Sequence, residues 1–157
     1  PMQNAWKHSQ TLHSMDPTDY GGNGMNDLYA FLNPVVTVPE KEIAVSNRFL
    51  DENGNPVKWK IHALTQKENE EISRMARSYD KDGNRVFDPY KYNNNVVLTC
   101  VSFPPLRNEE LVKKYGNGNP ENVACNMLLA DEFNRLLTEI NQLGDMQKKA
   151  ADEEAKN

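Results

Sequence analysis

The sequence predicts an α+β fold: one antiparallel β-hairpin packed on a mainly helical body of about five helices. Two-residue apolar alternation on both sides of Asp51-Glu-Asn-Gly-Asn-Pro56 marks the hairpin. Downstream, Thr65-Gln-Lys-Glu68 opens a helical apolar pattern, and helix start signals recur as far as Asp131-Glu132.

Residues 1–24 are polar, carry neither apolar period and end in Gly-Gly-Asn-Gly. They are expected to be a flexible leader, tag or arm before a native start at Met25; the other reading is a native arm anchored on a partner by Trp6. From Glu42 onward Ile43, Val45 and Phe49 share one parity, and beyond the turn Val57, Trp59, Ile61 and Ala63 alternate, so Trp59 and Ile61 should face the core. The helix from Thr65 carries Ile72, Met75, Ala76 and Tyr79 on one stripe. Ser78 to Pro89, SYDKDGNRVFDP, then reads as a helix exit, an Asp-Gly turn and an Asp-Pro helix start.

Signals conflict between residues 92 and 103. VVLTCVSF favours strand by composition, while the Asp-Pro start and the spacing of Val97, Cys100 and Val101 favour helix, and Pro104-Pro105 ends either. Asn108 opens a short helix with Gly116 as its left-handed stop, and Asn119-Pro120 opens another. The last helix begins at Asp131-Glu132 and stops at Gly144, leaving residues 25–144 as the domain and 145–157 as a charged, mobile tail.

Composition narrows the function classes. The chain has 157 residues with a net charge of -5, and its 18 Lys and Arg are dispersed among 23 Asp and Glu, an arrangement unsuited to nucleic acid. No apolar run approaches the ~18 residues of a membrane span, so no membrane partner is expected. Cys100 and Cys125 sit in apolar runs without a CxxC spacing and read as buried reduced thiols. In the calcium-loop register Ser78, Asp80 and Asp82 fall on ligand positions, but Arg85 takes the aliphatic place and Pro89 the glutamate's. His8, His13 and His62 form no catalytic or ligand spacing with the cysteines, and His62 should face solvent. Neither an enzyme nor a cofactor or metal is expected.

Function then belongs to a surface. In NMLLADEFNRLLTEINQL the apolar residues Leu129, Phe133, Leu136, Leu137, Ile140 and Leu143 spread beyond one stripe. Either the helix is a two-sided core helix, or part of the arc receives a hydrophobic helix of a partner.

From about Met25 to Gly144 the chain resembles the XkdN-like phage tail assembly chaperones of contractile-tailed phages and related defective prophages. The resemblance is carried by IAVSNRFLDENGNPVKWKIHALTQKENEEI, VSFPPLRNEELVKKYG and NMLLADEFNRLLTEI, in that order. It implies a non-enzymatic protein of the host bacterial cytoplasm that coats the hydrophobic tape measure protein, keeps it soluble while the tail tube forms, and is absent from the mature tail. Further partners it implies are a frameshifted longer form, the tail tube protein and another copy of the chain in a homo-oligomer. The alternative is a structural tube or baseplate-associated protein retained in the particle. Residues 1–24 have no counterpart in the resemblance, and DKDGNRVFDP resembles a variable insertion.

Overall fold

The computed structural model describes residues 24–156, so the expected leader and its Trp6 lie outside the described residues. The chain divides into two compact units, Pro1–Thr37 and Val38–Asn157. In the first, helix α1 (Gly24–Leu32) is closed by Asn33, whose backbone and side-chain amides both donate to the Tyr29 carbonyl at 2.9 and 3.0 Å.

The second unit is built on a three-stranded antiparallel sheet in the order β1 (Glu40–Ile43), β2 (Trp59–His62), β5 (Val101–Phe103). Trp59 and Ile61 alternate with the exposed Lys60 and point into the core, as their parity requires. The hairpin departs from expectation in where it pairs. Ile43 faces Trp59, and the ladder resumes only at Val57, which donates to the Phe49 carbonyl at 2.9 Å. Residues 44–48 therefore lie opposite the single residue Lys58. In this excursion from the ladder both Val45 and Ser46 are buried, and burying Val45 is favourable in itself.

The Thr65 capping box forms: the Thr65 hydroxyl accepts from the Glu68 amide at 3.2 Å, and Glu68 accepts from the Thr65 amide at 3.0 Å. Helix α2 (Gln66–Met75) buries Ile72, but its stripe ends sooner than the spacing suggested. Met75 is exposed, and Tyr79 lies in a strand, β3 (Arg77–Tyr79), that pairs with β4 (Arg85–Phe87). A second hairpin thus stands where a helix exit and turn were expected.

Its turn repeats that of the first hairpin. In Asp51-Glu-Asn-Gly-Asn55 the Asp51 carboxylate accepts from the amides of Asn53 and Asn55 at 2.8 and 3.0 Å. In Asp80-Lys-Asp-Gly-Asn84 the Asp80 carboxylate accepts from Asp82 and Asn84, both at 2.9 Å. Gly54 and Gly83 both take φ +81°, the left-handed bend that closes such loops onto right-twisted strands. The two amides hold the Asp80 carboxyl below its ordinary range.

The conflict between residues 92 and 103 resolves in sequence. Asp88 caps helix α3 (Pro89–Cys100), and the chain then straightens into β5, where the open edge of β2 supplies ladder partners to Val101 and Phe103. Tyr92 donates to Asn69 at 2.6 Å and ties α3 to α2.

Asn108 caps helix α4 (Glu109–Leu111), which widens into a π-turn over Val112–Gly116. The left-handed residues are Asn117 (φ 51°) and Gly118 (φ 87°), not Gly116. Gly116 is needed for space, since a Cβ there would lie 3.0 Å from Val123 Cγ2. A 3-10 turn (Pro120–Asn122), capped by Asn119, leads into α5 (Val123–Met127). The last helix, α6 (Ala130–Lys156), runs straight through Gly144. The segment beyond is rich in Ala, Glu, Lys and Gln, strong helix formers that offset the ~1 kcal/mol a single interior glycine costs. Val45, Ile61, Val97, Cys100, Val123, Leu136 and Ile140 form the deepest part of the core, between the sheet and helices α2, α3, α5 and α6.

Candidate partner-binding face

The expected apolar arc of α6 divides into two sides. Leu136, Ile140 and Leu143 lie in the core, while Leu129 stands 58% exposed at the head of the helix. Phe133 and Leu137 are half-buried against the edge of the core. The sequence spacing fits, because Phe133 and Leu137 are one turn apart on a single flank and the buried residues share the adjoining one.

An ion pair fixes the head of this helix. Glu132 accepts from Arg48 at both oxygens, from Nη2 at 2.6 Å and from Nε at 3.2 Å, and its Oε1 also takes the Leu129 amide at 2.8 Å. Arg48 Nη2 donates as well to the Met127 carbonyl at 3.1 Å, and the guanidinium lies 4.9 Å from the Phe49 ring centroid. Chiefly through the Arg48 hydrogen bonds, with help from Ser46 and the Leu129 amide, the Glu132 carboxyl is held down to about 2. The same contact raises the Arg48 guanidinium above its ordinary value. Two further links fasten the sheet to the helix: Arg135 donates to the Val45 carbonyl at 3.1 Å, and Lys41 reaches Glu139 at 2.7 Å. The hairpin excursion therefore clasps α6 and sets which of its apolar residues stay accessible. Sequence reasoning missed the clasp, since nothing local pairs Arg48 with Glu132.

A cleft of about 250 Å³ opens between the start of α2 and α6, lined by residues that include Ala63, Leu64, Asn69, Ile140 and Gly144. Gly144 sits about two turns after Leu137, on the same flank of the helix. A Cβ at Gly144 would meet nothing within 4 Å. Accessible Leu129, the rim residues Phe133 and Leu137, and this cleft form a partly apolar face along α6.

The titratable groups expected to be idle are placed as follows. His62 is not turned to solvent: its ring nitrogens lie 2.9 Å from the carbonyl oxygens of Ala63 and Thr99, bridging β2 to the end of α3. Burial pushes the Cys100 thiol up to about 12, whereas Cys125, expected to be buried, is exposed because its side of the short α5 faces outward. Among the described residues there is no group of three or more His, Cys, Asp or Glu able to hold a metal ion, and no helix is long and apolar enough to cross a membrane.

The described residues thus form a small α+β domain with a clasped, partly apolar helix face. Residues 28–156 match the phage XkdN-like tail assembly chaperone proteins, and the chain belongs to that family. It is 25% identical over 137 residues to the phage-like element PBSX protein XkdN of Bacillus subtilis (strain 168), spanning 82% of this chain and 93% of that one. Its fold is similar to that in a crystal structure of the protein YqbN, with a TM-score of 0.59, 22% identity, and coverage of 71% of this chain and 90% of the other.

Proposed function

We propose that this tail assembly chaperone binds the hydrophobic tape measure protein along the α6 face and keeps it soluble in the host cytoplasm while the tail tube assembles, leaving before the tail is complete. Family membership across residues 28–156 carries the reading. The face supports it physically. Leu129, Phe133 and Leu137 supply apolar contact, and the cleft by Gly144 offers a socket for an apolar side chain of a helix laid in the groove. Modest contacts of this kind, repeated by many copies along one long helix, hold it without blocking release. A net charge of -5 keeps the coated complex dispersed.

Co-expression with the tape measure protein tests the reading. The expected result is a soluble, co-purifying complex that is lost in Leu129→Asp/Leu137→Asp, with the domain still folded. A tape measure protein that remains insoluble beside the native chain overturns it. Stoichiometric presence of the chain in purified tails would instead make it a structural component.

A further inference from the structure

We propose that a second site, a cleft between the end of α2 and the β3–β4 hairpin, binds a carboxylate-rich segment of a partner protein. Arg74, Arg77, Ser78, Tyr79 and Arg85 line this cleft of about 230 Å³. The strand register, Arg77 opposite Phe87 and Tyr79 opposite Arg85, places those four side chains on one face of the hairpin, and Arg74 approaches from the helix. Three guanidinium groups thus border one small space in a chain whose net charge is -5.

Their charge is scarcely compensated from within. Of the three arginines, only Arg74 has an ion-pair partner among the described residues, Glu70 at 3.9 Å, and both side chains are exposed enough for the pair to contribute little. Of the other nearby acids, Glu71 and Asp82 form no ion pair among the described residues, and two more are held by backbone amides. Asp80 accepts from its own turn amides, and Asp88 accepts from the amides of Tyr90 and Lys91 at the head of α3. Guanidinium forks left free in this way match carboxylates in paired hydrogen bonds.

The surroundings favour a protein ligand over nucleic acid. Tyr79, Val86, Phe87 and Tyr90 are exposed on and beside the hairpin, and arginine with aromatic residues is the composition enriched at protein interfaces. A polyphosphate chain would in addition meet an acidic protein.

The site stands apart from the α6 face and is tested separately. The probe is a labelled peptide of alternating glutamate and leucine, titrated into the full chain at low salt and followed by fluorescence anisotropy. Arg77→Gln/Arg85→Gln should weaken its binding by about tenfold or more, and Arg74→Gln, outside the hairpin, should weaken it in the same direction. Arg107→Gln/Lys113→Gln, an equal change of charge elsewhere, should leave it within about twofold. Equal loss in both double variants, or loss in neither, overturns the proposal. So does displacement of the peptide by millimolar inorganic phosphate, which would make this a phosphate site. An oligomer of the chain that dissociates on the Arg77/Arg85 substitutions would make the occupant a second copy and overturn it too.

Discussion

Replacing Glu132 by alanine removes an acceptor shared by the Arg48 guanidinium and the Leu129 amide at the head of α6. Loss of one partner of a fully buried ion pair costs ~3–5 kcal/mol, and an exposed pair is worth ~0.2–1 kcal/mol. Here the Glu132 side chain is 11% exposed but that of Arg48 is 44% exposed, so the freed guanidinium regains water. The expected loss is therefore about 2 kcal/mol, or roughly 6–10 °C in Tm for a domain of this size. Urea unfolding of Glu132→Ala, Arg48→Ala and the double variant should give a coupling energy of about 1 kcal/mol or more. The pH dependence follows from the depressed carboxyl. The pair's contribution is complete above the ordinary glutamate value of 4.5 and is lost as pH falls from there toward about 2. The stability of Glu132→Gln should accordingly fall less over that window than that of the native chain. A coupling energy below about 0.3 kcal/mol, or native and Glu132→Gln curves that stay parallel between pH 5 and 2, would refute the clasp.

Gly144→Ala should raise stability by up to ~1 kcal/mol in thermal unfolding, because the helix continues through this residue and a Cβ meets nothing within 4 Å; a left-handed stop would give the opposite sign. Leu136→Asp and Ile140→Asp should each cost more than about 3 kcal/mol or abolish folding, while Leu129→Asp should stay within ~1 kcal/mol, as measured by circular dichroism in urea. Under a thiol reagent, Cys125 of the native protein should react promptly and Cys100 only on unfolding, since Cys100 is fully buried with its thiol pushed up to about 12.

The caps were legible because each is a bond between near neighbours in the chain. Thr65 with Glu68, Asp88 with Tyr90 and Lys91, and Asn108 with Glu110 and Leu111 can be read from residue types at fixed offsets. The second hairpin was legible too. Asp80-Lys-Asp-Gly-Asn84 matches Asp51-Glu-Asn-Gly-Asn55 at the leading aspartate, the glycine and the last asparagine, but Tyr79 fell on the helical spacing of Ile72 and Ala76 and masked the strand. Gly144 failed as a stop signal, and Gly116 ends its helix without being the left-handed residue. A glycine marks conformational freedom, and whether that freedom serves a left-handed turn, a close approach or nothing depends on what packs around it.

From the sequence came the α+β class, the hairpin turn, the helix starts and the family resemblance, all of which rest on local hydrogen bonding and on patterns along the chain. The division of α6 into core and accessible sides was settled by packing. Its agents are contacts between residues far apart: Arg48 with Glu132, 84 positions on; Arg135 with Val45, 90 back; and Lys41 with Glu139, 98 on. Burial belongs to the assembled unit, so an apolar residue on a broad helical arc is the same in sequence whether it fills the core or stands at the surface. The excursion after β1 and the sheet beneath it make that choice, leaving Leu129 exposed and Leu136 enclosed.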